Sequence, residues 1–261
     1  MSAAAAAAFI CCGCLSDDTF HIYGNDSDFG DDGQDSQTAK VFTVSSYEDF
    51  STDVHELSSL CLNQKADGLY AVGDEGTVYE IAFDGKTRAL LYDKGNHDWE
   101  GVECYGSDIL LMEETESAIY KLSGGKLSKE ADISIPGGGA DGKGPEGLTV
   151  VRDTAYVGNQ AQPTGILKYD LKTGKSCEYF DIKFVSKYVS DLCYDSYDNT
   201  LWIIDSKGPA FYHCTLSGKL IATYKISFVN QAEALAIDHA GGIAWVGCDK
   251  TSTLYKIKLE F

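Results

Sequence analysis

Residues 98–102 read Asp98-Trp99-Glu100-Gly101-Val102, and this short pattern returns twice along the chain, as Gly144-Pro145-Glu146-Gly147-Leu148 and as Gln231-Ala232-Glu233-Ala234-Leu235. Two looser copies align with these three at their final apolar residue, which is Leu60 in one and Leu192 in the other. The column two places before that residue holds, in chain order, Ser58, Glu100, Glu146, Ser190 and Glu233. The spacings are 42, 46, 44 and 43 residues. A period of this length is typical of β-propeller blades when each repeat contains only strand patterns.

Each repeat contains strand patterns rich in β-branched and aromatic residues, with tight glycine-containing turns between them. The fifth repeat ends after its third strand pattern, whereas an unassigned strand pattern, Lys40 to Ser46, precedes the first repeat. We therefore predict an all-β fold, a single five-bladed β-propeller over residues 39–261 with four-stranded blades. The N-terminal strand is predicted to close the last blade by pairing with Thr253 to Leu259, which would remove an open sheet edge.

The composition excludes some classes of partner. The chain has 261 residues, of which 44% are hydrophobic, enough for one well-packed domain. Its net charge is -19, from 21 basic and 40 acidic residues, which argues against nucleic acid or an anionic membrane surface as a partner. Cations or basic partners are expected instead, although acidity also serves solubility alone. The nine cysteines are scattered, and those in strand patterns are expected to be buried free thiols.

The N-terminal region differs in composition from the repeats. Residues 1–14 form an apolar, alanine-rich run that ends in cysteines, and residues 15–38 are rich in aspartate without lysine or arginine. The first segment resembles a signal peptide with a lipobox, and Cys14, preceded by Gly13, is the predicted lipidation site. The second is predicted to be an acidic flexible tether. We thus expect a lipid-anchored protein at the bacterial outer membrane or cell surface; a plain disordered tail or a misassigned start remains the alternative.

The repeats together resemble the SdiA-regulated protein family. The motifs that carry this resemblance are Glu56-Leu57-Ser58-Ser59-Leu60, Asp98-Trp99-Glu100-Gly101, Pro145-Glu146-Gly147-Leu148 and Gln231-Ala232-Glu233-Ala234. The sequence departs from the family pattern at Ser59 and Ala234, where glycine is usual, and at Asp191, where Ser-Gly is expected in place of Ser190-Asp191. The resemblance implies a β-propeller related to phytase-like and NHL-type propellers, and it implies no particular activity.

The propeller geometry places candidate site residues at one mouth of the central channel. The start of each innermost strand and the end of each second strand emerge on the same face, so Glu100, Glu146 and Glu233 are predicted to meet there as metal ligands. Further side chains predicted to bind a ligand around them are Asp98, Trp99, Asn159, Asp205 and Gln231. Crowded carboxylates either take up protons or share a cation, and hard oxygen ligands without histidine favour calcium.

Three roles stay open for the glutamates: sealing the propeller through backbone N–H groups, binding calcium or another cation, and acid-base catalysis. No nucleophile motif is present, and no catalytic residue is predicted. The first functional hypothesis is a monomeric, lipid-anchored propeller that binds a small molecule or protein at an acidic mouth. The alternative is a calcium-dependent hydrolase of the phosphoesterase, phytase-like or lactonase type.

Overall fold

The computed structural model describes residues 39–136, 143–160, 163–185 and 188–259. The predicted signal-like segment 1–14 with Cys14 and the predicted tether 15–38 lie outside the described residues. Within these ranges the chain is built from strands, with one turn of 3-10 helix at Asp249–Thr251 and no α-helix.

The strands form five separate sheets that correspond to the five repeats. Blade one contains β3 (Leu57–Leu62), β4 (Leu69–Gly73), β5 (Thr77–Ile81) and β6 (Thr87–Asp93). Blade two contains β7 (Trp99–Tyr105), β8 (Asp108–Glu113), β9 (Ala118–Ser123) and β10 (Lys126–Asp132). Blade three contains β11 (Pro145–Val151), β12 (Thr154–Asn159), β13 (Gly165–Asp170) and β14 (Lys175–Asp181).

The remaining two blades include strands from the N-terminal end of the described chain. Blade four contains β15 (Asp191–Asp195), β16 (Thr200–Asp205), β17 (Ala210–Thr215) and β18 (Leu220–Lys225), with β1 (Lys40–Thr43) added outside β18. Blade five contains β19 (Ala232–Asp238), β20 (Ile243–Cys248), β21 (Thr253–Lys258) and, as its outer strand, β2 (Glu48–Ser51). The predicted five-bladed all-β propeller, with its last blade closed by an N-terminal strand, is confirmed.

The closing strand is not the segment that the sequence pattern indicated. β2 pairs with β21 antiparallel, with Phe50 opposite Leu254, whereas β1 pairs with β18 in parallel. The expected pairing of Lys40 to Ser46 with Thr253 to Leu259 is therefore wrong. The reason lies in the side chains: Phe50 packs into the core between blades five and one, while Phe42 of β1 stacks on Tyr224 of blade four at 4.8 Å between ring centroids.

The hydrophobic core is divided into clusters between neighbouring blades. Trp99 and Val102 of blade two pack with Val72 of blade one, and corresponding clusters fill the other blade interfaces. A sheet that is buried on both faces in this way requires apolar residues throughout its inner strands, which explains why the second strands read as nearly continuous apolar runs.

One buried carboxylate connects the inner strands at the axis. Asp191 of β15 is fully buried and accepts hydrogen bonds from the Ser59 hydroxyl at 3.0 Å, from the Leu60 N–H at 3.2 Å and from the Leu235 N–H at 2.9 Å. The Ser59 oxygen accepts in turn from the N–H of Val102 at 3.0 Å. A single side chain of blade four thereby links blades one and five directly and blade two through Ser59.

The glycines at the same level of blades two and three leave room for this connection. A Cβ atom on Gly147 would lie 2.7 Å from the Cα of Asp191, and one on Gly101 would lie 2.8 Å from the Cβ of Leu148. Gly147 also has a backbone φ of +74°, a conformation that residues with a side chain rarely adopt. Asp191 thus carries a side chain where the family usually has glycine, and the residue that faces it, Gly147, has none.

We expect Asp191→Ala to destabilise the protein by at least about 3 kcal/mol, because the Ser59 hydroxyl and the N–H groups of Leu60 and Leu235 lose their acceptor in the core. Asp191→Asn keeps one acceptor oxygen and should cost less. Urea denaturation of both variants measures the loss, with Asp181→Asn on an exposed outer strand as the control. A loss below about 1 kcal/mol for Asp191→Ala would contradict the role given to this carboxylate.

Candidate functional site

The acidic residues of the repeat column reach the mouth because the inner strands are interrupted there. In three blades the pairing with the second strand skips one residue, and the skipped residues are Ser58, Glu100 and Glu233. In blade three the skipped residue is Gly147, directly after Glu146. Such a bulge leaves one residue out of the hydrogen-bond ladder and re-aims its side chain. The same local irregularity therefore positions the candidate ligands in successive blades.

Each second strand contributes to the wall of the mouth through the residue that follows its last paired position. Asp74 accepts a hydrogen bond from Ser58 at 2.5 Å, and Ser206 pairs with Ser190 at 2.8 Å between hydroxyl oxygens. The Gln231 amide donates to Asp249 at 2.5 Å. Each of these pairs joins the start of an inner strand to the end of its neighbour, and together they form the wall of the mouth.

The predicted ligand-binding residues Asn159 and Asp205 are the last residues of their second strands, one position before the residues that form the wall of the mouth. Their side chains bond to the turns that follow. The Asn159 amide donates to the carbonyl of Pro163 at 2.7 Å, and Asp205 accepts from the N–H groups of Lys207 at 3.0 Å and Gly208 at 2.9 Å. Both side chains are almost fully buried. At the mouth their blades present Gln160 and Ser206, a shift of one residue that the spacing of apolar residues did not indicate.

Trp99 also lies away from the mouth. Its indole is fully buried between blades one and two, where it stacks on His97 at 4.3 Å and meets Tyr92 and Tyr120 edge-on. In this position Trp99 supports the loop that carries His97 and Asp98, and its own side chain makes no contact with the open mouth.

Three carboxylates at the mouth are close enough to share one ion. One carboxylate oxygen from each of Asp74, Asp98 and Glu100 lies within 4.8 Å of the other two. This group, which we call the mouth triad, includes one of the three glutamates predicted as metal ligands. Glu146 and Glu233 line the mouth beside it, and the prediction that they share the same cation stays a prediction.

The mouth raises the pKa values of its acids. Burial, with the negative charges of Glu146 and Asp74 nearby, raises the pKa of Glu100 well above its ordinary range, and burial with Glu114 and Glu233 nearby does the same for Glu146. Burial and Asp249 raise the pKa of Glu233 to about 7. Asp74 is an exposed residue at the edge of the mouth. Desolvation nevertheless raises its pKa to about 6, although the hydrogen bond from Ser58 opposes the shift.

The opposite side of the mouth carries positive charge. Lys143 and Lys207 both lie over the ring of Tyr188, with their Nζ atoms 4.2 Å and 5.8 Å from its centroid. Lys143 lowers the pKa values of Glu114 and Glu146, and Lys207 lowers those of Glu233 and Asp249, in each case against the raising effect of burial. Among the described residues, the mouth thus has an acidic side on blades one and two and the two cations Lys143 and Lys207 on blades three and four.

A cleft of about 530 Å³ opens from the mouth triad toward the gap between blades one and two. Its lining includes Asp74, Asp98, His97 and Thr115. The Thr115 hydroxyl donates to Asp98 at 3.3 Å, and the buried Nδ1 of His97 has no hydrogen-bond partner among the described residues. Asp74 and His97 are the residues of this site that the repeat column alone does not identify; the end of each second strand is the signal that points to Asp74.

The fold and the mouth define a five-bladed β-propeller with an acidic channel entrance. Residues 172–261 match the model of the SdiA-regulated family, so the family resemblance is confirmed in that part of the chain. No curated protein sequence matches the chain significantly. No helix of the described residues has the length and apolar content needed to cross a membrane.

Solved structures share the fold at low sequence identity. A glutaminyl cyclase from Myxococcus xanthus superposes with a TM-score of 0.69 at 11% identity, covering 85% of this chain and 98% of the cyclase. A chain of a nidogen/laminin complex superposes with a TM-score of 0.56 at 11% identity, covering 78% of this chain and 76% of the other. These similarities support the propeller architecture and carry no activity to this chain.

The raised pKa values predict that stability falls as pH rises. The folded protein binds more protons than the unfolded chain between about pH 4, where free carboxyls titrate, and about pH 7, the folded pKa of Glu233. The melting temperature without divalent ions should therefore decrease by several degrees across this window. Carboxylates with lowered pKa values, such as Asp67 and Asp153, titrate below it and do not mask the effect.

Glu233→Gln should reduce this pH dependence by the share of one carboxyl group, because the amide does not titrate, while Asp181→Asn should leave it unchanged. A melting temperature that stays constant or rises across the window would show that the mouth carboxylates are not protonated in the folded protein.

Proposed function

We propose that the chain is a ligand-binding β-propeller whose mouth triad holds a calcium ion and presents it to the ligand. The observation that carries the proposal is the approach of Asp74, Asp98 and Glu100 to within 4.8 Å of one another in a place where burial raises the pKa values of Asp74 and Glu100. A cation removes this conflict, because it replaces the bound protons and neutralises the carboxylates.

The donor set favours calcium over softer metals. The mouth triad offers only carboxylate oxygens, and calcium takes six to eight oxygen ligands in a flexible geometry. Three carboxylates that bind through one oxygen each supply three ligands, which leaves at least three positions of such a coordination sphere unfilled. The remaining positions would be available to water and to an oxygen atom of the ligand, which gives the ion a direct role in recognition.

Glu146 and Glu233 have a complementary role in this proposal. Both lie next to the mouth triad and both have raised pKa values, so at neutral pH they are able to hold protons and donate hydrogen bonds. If they join the ion instead, the wider ring of Glu100, Glu146 and Glu233 becomes the calcium site. The variants described below distinguish the two arrangements.

The second candidate is a calcium-dependent hydrolase of the phosphoesterase or lactonase type. Lys143 and Lys207, which meet at Tyr188, favour it because they could hold the negative charge of a phosphate or carboxylate while calcium polarises the reacting oxygen. Calcium-dependent turnover of simple phosphate esters or lactones, lost in Lys143→Met with calcium binding retained, would establish this candidate over binding alone.

Calcium at 100 times its dissociation constant should stabilise the fold by about 2.7 kcal/mol through mass action, and chelation should reverse the effect. Thermal unfolding with and without calcium measures this response, and calorimetric titration gives the affinity. Asp74→Asn, Asp98→Asn and Glu100→Gln should each weaken binding strongly. Affinity should also increase as pH rises through about 6, the pKa of Asp74, because its proton must leave.

Asp181→Asn is the matched control, since it removes one carboxylate from an exposed outer strand. A Glu146→Gln/Glu233→Gln double variant that keeps the full response restricts the site to the mouth triad, and one that loses it supports the wider ring. If the protein is still stabilised by calcium after all three triad carboxylates have been replaced, the proposal is wrong.

The proposal places this propeller at the bacterial cell envelope through acylation of Cys14. It is supported by the small residue before that cysteine and by the acidic run of residues 15–38 after it, which would separate the propeller from the membrane. Mass spectrometry of detergent-extracted protein should find a diacylglycerol-modified Cys14 as the first residue, and Cys14→Ser should abolish the modification. Recovery of an unprocessed chain that retains Met1 would contradict the anchor.

A further inference from the structure

A second layer of polar side chains crosses the channel below Asp191, away from the mouth. Its members directly follow the apolar residue that ends each repeat motif, and in blade order they are Cys61, Glu103, Thr149, Cys193 and Ala236. A hydrogen bond between blades two and three connects two members of this layer. The Thr149 hydroxyl donates to Glu103 at 2.6 Å and accepts from the N–H of Tyr194 at 2.9 Å.

Two thiols and a carboxylate of this region lie within reach of one metal ion. The Sγ atoms of Cys61 and Cys104 and a carboxylate oxygen of Glu103 all lie within 4.8 Å of one another. Two sulfurs bound to one tetrahedral zinc ion are about 3.8 Å apart, given Zn–S bonds of about 2.3 Å. Small side-chain movements therefore suffice to bring all three ligands onto one ion.

We propose that Cys61, Cys104 and Glu103 form a zinc site in the lower half of the propeller channel. Thiolate ligands with one carboxylate select a thiophilic ion such as zinc over calcium, so this site and the mouth triad take different metals. The layer that contains Asp191 and Ser59 separates the two sites along the axis. The zinc site does not depend on the function proposed for the mouth.

Glu103 is already oriented as a metal ligand would be. It accepts hydrogen bonds from the N–H of Cys104 at 2.7 Å and from Thr149, and the N–H of Val150 is a further donor to it. A carboxylate has about four lone-pair positions, so these donors leave one for a metal. Hydrogen bonds that fix a ligand in this way are typical of the outer shell of metal sites.

Cys193 is the candidate for the fourth ligand. It lies in the same layer on blade four, and burial together with the negative charge of Glu103 nearby raises the pKa of its thiol. Glu103, Cys104 and Cys193 are surrounded by protein and yet keep partial exposure, because they line the channel. An ion could therefore reach the layer along the axis from the face opposite the mouth.

The experiment loads reduced protein with zinc alone, removes the excess and counts metal by mass spectrometry. One zinc ion per chain is expected. Cobalt(II) in its place should give an intense thiolate-to-metal charge-transfer band in the near ultraviolet, which oxygen-only sites such as the mouth triad do not produce. This spectrum is read on the unchanged chain, so it does not depend on any variant folding correctly.

Variants then locate the ion. Cys61→Ser and Cys104→Ser should each lower zinc affinity at least about 100-fold, and Thr149→Val, which removes a hydrogen bond to Glu103, should lower it about 10-fold. Cys177→Ser, an exposed thiol, and Cys214→Ser, a buried thiol of another strand, are the matched controls and should retain zinc. Glu100→Gln should also retain it, which separates this result from the outcome at the mouth.

Zinc should slow modification of Cys104 and Cys193 by a thiol reagent without protecting Cys177. Any one of three results would overturn the proposal. The first is the absence of a charge-transfer band with cobalt, and the second is equal zinc retention by the Cys61→Ser/Cys104→Ser double variant. The third is a Cys61–Cys104 disulfide that persists under a phosphine reductant.

Discussion

The carboxylate of Asp191 is the interaction on which the arrangement at the axis depends. It is fully buried among the inner strands, and it accepts hydrogen bonds from groups on blades one and five as well as from its own backbone neighbour. Without an acceptor at this point the N–H groups of Leu60 and Leu235 would lose this hydrogen-bond partner in the protein interior. Burial raises the pKa of Asp191 well above its ordinary range against the opposing effect of these donors, and the hydrogen bonds reduce the cost of burying its polar oxygens.

This connection also divides the channel into two chemically different halves. Above Asp191 the side chains are carboxylates and hydroxyls, and below it they are thiols, Glu103 and Thr149. The pKa values of Glu100 and Glu146 are raised because burial and the neighbouring acids both oppose ionisation. Among the described residues, Lys143 and Lys207 oppose this effect on one side of the mouth, which leaves the acidic side available for a cation.

The sequence alone was sufficient for the number of blades, the position of nearly every strand and the column that holds Glu100, Glu146 and Glu233. Alternation and spacing are local properties, and they report which residues form a strand and which face of it is buried. They do not indicate that Glu48–Ser51, and not the predicted strand Lys40 to Ser46, meets the last blade, because that pairing depends on the distant residues that Phe50 and Phe42 contact in the folded chain.

The same limit applies at the mouth. Asn159 and Asp205 stand at the ends of second strands, where their side chains bond to the following turn, while the next residues, Gln160 and Ser206, bond to Lys143 and Ser190. A shift of one residue reverses the face of a strand, and no apolar pattern marks that boundary. Asp191 was visible only as a departure from an expected glycine, and its role depends on Ser59, Leu60 and Leu235, which lie far away in sequence.

The repeated bulge suggests why fold and site can vary separately in this architecture. Ser58, Glu100 and Glu233 each occupy the position that the ladder skips, so replacing one of these side chains changes no strand pairing. The next position along the strand has the opposite constraint, since Gly101 has no space for a side chain and Asp191 holds the blades together. Adjacent residues of one short motif thus have different roles. The position of Glu100 determines the chemistry of the mouth, and the next position, which holds Gly101 and Asp191, allows the blades to pack at the axis. For this reason Glu100 and Glu233 are free to act as ligands, while the motif that presents them is maintained by packing at the axis. In blade three Glu146 is itself paired with Gly158, and the skipped residue is Gly147.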